Sequence, residues 1–220
     1  NTVVLFIATI GSTITSSIDD FKEIKNILNK KNIINYIHLD AALDGAFLPL
    51  IENYKLCSDF DSIKISGHKF IGSPIPSGIL LINKKYVSST YVEYINNDDI
   101  TLGGSRNGLS PVLLYNNIKD MGSKAGILEK YKSCLEKANI FITKLHKNNI
   151  NAWKNEKAIT IVLEDIHSNI FNKWHMPKYK NLATLTCLPK FSEEMLDNLI
   201  YDIKNPLSIK EADFKQTAVD

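Results

Sequence analysis

An α/β fold is predicted by three features of the 220-residue sequence. Residues 3–10 (VVLFIATI) form a continuous apolar run rich in branched side chains, as expected of a strand buried on both faces of a parallel sheet. An amphipathic helical segment follows directly. Further short apolar runs at 35–39, 62–66 and 78–82 each end in a turn or a polar residue.

The elements follow in order. After the first strand, Gly11-Ser12-Thr13 forms a turn, and Ser17-Ile18-Asp19-Asp20 opens a helix with Ile24, Ile27 and Leu28 at helical spacing. Residues 35–39 (NYIHL) are a strand ending at Asp40. Residues 62–66 (SIKIS) are another, closing towards Lys69, and 78–82 (GILLI) are a fourth. Beyond Pro111 the pattern changes. Residues 112–146 are largely helical, with Leu128, Tyr131, Leu135, Ala138 and Ile142 on one stripe. Two short strands are expected within 151–163, a helix at 168–174, a strand at 183–187 and a last helix at 192–203. This α+β pattern predicts a smaller second domain over 125–205, after a first over 1–124, with a flexible polar tail at 206–220.

Composition narrows the function. Hydrophobic residues are 44% and charged residues 23%, and the formal net charge is +2, so bulk electrostatics point to neither a nucleic-acid nor a membrane partner. The first apolar run lacks a basic leader and is too short to span a bilayer. Cys57, Cys134 and Cys187 are odd in number and lack metal-ligand spacing, which predicts reduced thiols, a cytoplasmic location and no metal. The sequence opens without an initiator Met almost on a strand, as the downstream part of a longer protein would.

Three short pieces close predicted strands: Gly11-Ser12-Thr13, His38-Leu39-Asp40-Ala41-Ala42 and Ser66-Gly67-His68-Lys69. In α/β sheets, functional groups gather at strand ends. Singly, each piece has an ordinary explanation: a solvated lysine, a turn aspartate, a satisfied histidine. Together they supply what a pyridoxal cofactor requires. Lys69 offers an amine, and Asp40 a carboxylate to keep the ring nitrogen protonated. Ala42 is a small residue for the ring to rest on, and Ser66 and His68 are donors for the phosphate.

The stretches IHLDAALDGAFLPL, SIKISGHKFIGSPIPSGILL and SSTYVEYINNDDITLGGSRNGLSP resemble the group II pyridoxal-phosphate-dependent amino-acid decarboxylases, nearest the bacterial histidine decarboxylases and the related plant serine decarboxylases. SNIFNKWHM carries the likeness into the second domain, so it covers about residues 1–204. The resemblance implies the aspartate-aminotransferase architecture (fold type I), as part of its large domain plus a small C-terminal domain, in a homodimer with active sites at the subunit interface. It implies that Lys69 holds pyridoxal 5′-phosphate, that Asp40 pairs with the ring nitrogen and that Ala42 packs on the ring. Thr13 is implied near the ring hydroxyl, Ser66 and His68 near the phosphate or ring edge, and Gly104, Ser105 and Arg106 near substrate or interface. The implied reaction is decarboxylation of an L-amino acid, histidine to histamine and CO2, with serine to ethanolamine as the alternative.

Two departures stand out. The family carries an upstream half of the large domain that does not occur in these residues. Its GSRNG is commonly followed by His, where this sequence has Leu109, either a specificity change or a packing change. A catalytically inactive remnant or structural subunit of the same fold is the reading of another class, and retention of Lys69, Asp40, Thr13, Ser66 and His68 weighs against it. An aminotransferase is disfavoured because residues 151–188 contain no Arg to bind a substrate carboxylate.

Overall fold

The computed structural model describes residues 3–100 and 106–209. Two compact units emerge: one formed by residues up to Ile10 together with Ile18–Ile127, the other by Gly11–Ser17 together with residues from Leu128 onward.

The first unit is built on a four-stranded sheet in sequence order, β1 (Val3–Thr9), β2 (Ile34–Asp40), β3 (Ser62–Ser66) and β4 (Gly78–Ile82). The first three strands are parallel and β4 runs antiparallel to β3. Helix α1 (Phe21–Lys30) links β1 to β2. Asp20 caps it, accepting from the Glu23 N–H at 3.0 Å. Its buried Phe21 meets Tyr54 edge-on at 4.9 Å. Asp61 stitches the middle of the sheet: its carboxylate accepts from the Ile37 N–H at 3.0 Å and its own N–H donates to the Ile37 carbonyl at 2.9 Å. A short helix α2 (Leu48–Ile51), a hairpin of β5 (Thr90–Val92) and β6 (Asn97–Asp99), and helix α3 (Leu109–Asp120) complete the described part of this unit.

The expected strand at 3–10 is present but is not buried on both faces. Ala8 is buried and Val4 and Phe6 are half-buried, whereas Val3, Leu5 and Ile7 are each more than half exposed. Among the described residues, β1 pairs with β2 alone, so it is an edge strand with an open apolar face.

The second unit has the sheet order β7-β8-β10-β9, with β7 at Ala152–Trp153, β8 at Thr160–Glu164, β9 at Lys178–Tyr179 and β10 at Leu182–Thr186, every pairing antiparallel. Helices α4 (Ser123–Lys147), α5 (Ser168–Trp174) and α6 (Glu193–Lys204) supply Phe141, Leu145, Ile170, Leu196 and Leu199 to a core shared with Ile161, Leu163 and Ala183 of the sheet.

Three expectations need correction. The single helical stretch at 112–146 is two helices, because Gly122 and Ser123 take positive φ of 88° and 55°. The buried stripe of α4 is Tyr131, Cys134, Ala138, Phe141 and Leu145, leaving Leu128, Leu135 and Ile142 half-buried at its flank. At the start of the expected flexible polar tail, Pro206–Ser208 form a 3-10 turn with Leu207 84% exposed, and only the Ile209 side chain joins the second unit's core. Among the described residues, no helix is long and apolar enough to cross a membrane, and no cluster of His, Cys, Asp or Glu could hold a metal ion.

Candidate active site

The parallel register of β1, β2 and β3 sets the site. Thr9 lies level with Asp40, and Asp40 level with Lys64. The C-terminal ends of the strands therefore form one edge, where α/β sheets bind ligands. Asp40 ends β2 with its side chain exposed at that edge, while its carbonyl accepts from the Ile10 N–H at 2.9 Å.

The chain then folds back over β3. Ala41 N–H donates to the Lys64 carbonyl, and Ser66 N–H donates to the Ala42 carbonyl, both at 3.0 Å. The 3-10 turn Asp44–Ala46 follows, seated tightly: a β-carbon on Gly45 would come within 2.8 Å of both Ala41 Cβ and Ile65 Cγ1. Two of the three expected pieces, 40–42 and 66–69, are thus joined by direct backbone bonds.

Beyond β3 the loop closes on itself. Gly67 N–H donates to the Ser77 carbonyl at 2.9 Å, and Ser73 N–H to the Gly67 carbonyl at 2.8 Å. Gly67 is closely approached: a β-carbon there would meet Ser77 Oγ at 2.3 Å and Leu114 Cδ1 at 2.7 Å, so those side chains would have to shift. Ser66 is buried. His68 is exposed, and its Nδ1 lies 3.2 Å from both the N–H and the carbonyl oxygen of Ser77. Lys69 is exposed. His38 is no catalyst in this arrangement: its Nδ1 shares a 2.7 Å hydrogen bond with Ser62 Oγ. Burial lowers its pKa, partly offset by the Asp40 charge.

Thr13 lies in the Gly11–Ser17 loop, which folds with the second unit. There Ser12 Oγ accepts from the Ser17 N–H at 3.0 Å, Asn155 Nδ2 donates to the Thr15 carbonyl at 2.7 Å, and Thr13 itself is exposed. Gly104 and Ser105 lie outside the described residues. Arg106 is exposed and lines an open cleft of about 560 Å³ with Ser77, Asn107, Ser110 and Leu114. Leu109 opens α3 with its side chain 55% exposed, so it is not part of the first unit's core.

Sequence reasoning passed over three residues of this neighbourhood. Asp44 Oδ1, Ser73 Oγ and Ser77 Oγ are buried without a hydrogen-bond partner among the described residues. Buried polar atoms are nearly always partnered, so orphans of this kind call for an explanation. Burial raises the Asp44 carboxyl to about 7, with the Lys69 charge drawing it down. The sequence signal was the second aspartate of DAALDG and the two serines of GSPIPSG. The cysteines offer no competing chemistry in the second unit: burial pushes Cys187 up to about 12 and raises Cys134, so neither is a ready thiolate.

Comparison with known proteins agrees with this geometry. The chain is 35% identical over 206 residues to the histidine decarboxylase of Mesorhizobium japonicum, covering 90% of this chain and 55% of that protein. It is 34% identical over 197 residues to serine decarboxylase 3 of Oryza sativa subsp. japonica, covering 86% of this chain and 44% of the relative. The chain thus spans about half the length of the curated relatives it matches. L-methionine decarboxylase from Streptomyces sp. 590, in complex with L-methionine methyl ester, superposes with a TM-score of 0.77 at 19% identity, over 91% of this chain and 53% of that one. The fold is accordingly that of the fold type I pyridoxal-phosphate decarboxylases, as the resemblance implied. The pyridoxal-dependent decarboxylase conserved domain matches residues 1–162, and with sheet edge, backbone links and relatives in agreement, the chain belongs to the pyridoxal-dependent decarboxylase family.

Proposed function

We propose that the protein decarboxylates an L-amino acid, histidine first, with pyridoxal 5′-phosphate held by Lys69. The observation that supports this reading is that Asp40 ends β2 and Lys69 follows β3, its parallel neighbour, on segments bonded to each other through Ser66 and Ala42. The donor set fits the group chemically. An exposed amine suits its aldehyde, a carboxylate suits its ring nitrogen, and the small Ala42 leaves room for a ring. The hydroxyl and imidazole of Ser66 and His68 suit its phosphate. The orphaned hydroxyls of Ser73 and Ser77, on the loop that carries Lys69, are further donors beside it.

When bound, the cofactor supplies an electron sink for the pair of electrons left as CO2 departs. The protein's part is to hold and orient. Lys69 Nζ would hold the group through its aldehyde. Asp40 would lie against the ring nitrogen, where a carboxylate favours its protonated form. Thr13 serves near the ring hydroxyl, and Ser105 and Arg106 serve substrate or interface.

Histidine is placed first because curated histidine decarboxylases from several bacteria match the chain at about 35% identity. Serine is the second reading, supported by the rice relative at 34%. A homodimer is proposed for the full-length protein, supported by the exposed Val112 and Tyr115 of α3. Amine release from each amino acid by the purified protein tests the substrate. Lys69→Ala is expected to abolish turnover, and turnover retained in that variant sinks the reading.

A further inference from the structure

Lys137, on α4, is half-buried and has no part in the candidate active site. Its Nζ donates to three backbone carbonyls of a single turn, those of Pro189 and Phe191 at 3.0 Å each and that of Leu188 at 3.3 Å. An ammonium has three N–H donors, and here its bonds end on uncharged oxygens. The turn has bonds of its own. Leu188 N–H donates to the Thr186 carbonyl at 2.9 Å, Phe191 N–H donates to the Leu188 carbonyl at 3.1 Å, and Ser192 caps the helix that follows. The backbone around them therefore holds the three carbonyls in place, and the lysine stem reaches in from a different element. Convergent carbonyl dipoles are a cation-binding arrangement, the one by which channel filters replace the hydration shell of potassium. With no carboxylate among these donors, the cradle suits a singly charged cation and not calcium or magnesium, whose sites draw on carboxylates.

We propose that the turn at residues 188–191 is a monovalent-cation site, which the chain fills from within by the Lys137 ammonium. A potassium or free ammonium ion is the ligand class it takes when that side chain is cut back. The inference is independent of the assignment of Lys69. The site also has a consequence for its surroundings. Phe191 carries one of the three carbonyls, and its ring centroid lies 5.9 Å from that of Phe141 and 6.4 Å from that of Trp174. With Trp174, Met176 and Leu199 it lines a cleft of about 240 Å³ in the second unit. The charge in the cradle thus fixes one wall of that cleft, while Asp202 fixes another through the Trp174 indole.

The test uses the 220-residue chain carrying Trp153→Phe, so that Trp174 is its one indole. Lys137→Ala is compared with this parent in the chlorides of potassium, ammonium, lithium and tetramethylammonium, all at about 0.15 M so that screening is equal. Thermal melting and Trp174 emission are the readouts. In tetramethylammonium chloride, Lys137→Ala is expected to melt several degrees below the parent, with Trp174 emission shifted to the red. Potassium and ammonium recover part of both losses, saturably with concentration, and lithium does not. The parent, whose cradle is full, responds alike to all four salts. Equal melting of variant and parent in tetramethylammonium chloride overturns the proposal, since water then serves the carbonyls as well. So does a loss that all four salts leave the same, or a potassium effect of equal size in the parent. Where Lys137→Ala does not fold in tetramethylammonium chloride, refolding into potassium chloride decides. Return of the Trp174 signal supports the site, and its absence overturns it.

Discussion

Asp44 has a consequence for stability. Its carboxyl is raised by burial from 3.8 to about 7 in the folded protein. Between those values the folded state binds more protons than the unfolded one, so stability falls as pH rises through this window and levels off above it. The full effect is on the order of 4 kcal/mol at most, from the size of the shift. Asp44→Asn is therefore expected to melt several degrees above wild type at about pH 8 and to match it near pH 4, as checked by thermal denaturation at both values. Asp40→Asn tests a different chemistry. It is expected to leave the cofactor bound but poorly reactive, which absorbance of the bound group and amine release report separately. At this scale the sequence was legible where a residue type stands at a strand end: Lys69, Asp40, Ser66 and His68 all fall within unit one's predicted pieces. Asp44 was not, because its burial comes from the Gly45 turn packing on Ile65, a tertiary contact with no local periodicity.

Among the elements, α5 and α6 show how the second unit is tied. Asp202 on α6 is buried, and its carboxylate accepts from Lys173 Nζ at 3.0 Å and 2.8 Å and from Trp174 Nε1 at 2.8 Å. Trp174 packs against the core of this unit and is also a donor. Removing the buried acceptor takes away the carboxylate that holds both the Lys173 ammonium and the Trp174 indole N–H, so Asp202→Ala is expected to cost about 3–5 kcal/mol, read from denaturant unfolding. The N-cap of α6 is a milder case: Ser192 Oγ accepts from the Met195 N–H at 3.1 Å, and Ser192→Ala should cost about 1 kcal/mol. Apart from α4 and the two-residue β9, the helices and strands of this unit match the runs expected at 151–163, 168–174, 183–187 and 192–203. The β5–β6 hairpin was missed because its turn rests on Asn96 in a left-handed conformation and each strand is only three residues long and mostly exposed.

On the scale of the whole molecule, the open face of β1 is the main liability. Val3 and Leu5 are each 64% exposed, and Ile34 on the neighbouring strand 58%. An edge strand with exposed apolar side chains is a template for pairing with other chains. The isolated 220-residue chain is expected to self-associate, and light scattering over a concentration series checks this. A monodisperse, cooperatively melting monomer contradicts it. The α/β class was readable because residues 3–10, 35–39 and 62–66 are short apolar runs ending in polar or glycine residues. The open face was not readable, because a run such as VVLFIATI reads the same whether or not a second layer covers it.

The most direct test of the central claim is to incubate the purified protein with pyridoxal phosphate, reduce it with borohydride and map the modified peptide by mass spectrometry. The account predicts modification concentrated on Lys69 and lost in Lys69→Ala. Modification scattered over many lysines, or absent from Lys69, contradicts the assignment of this sheet edge as the cofactor site.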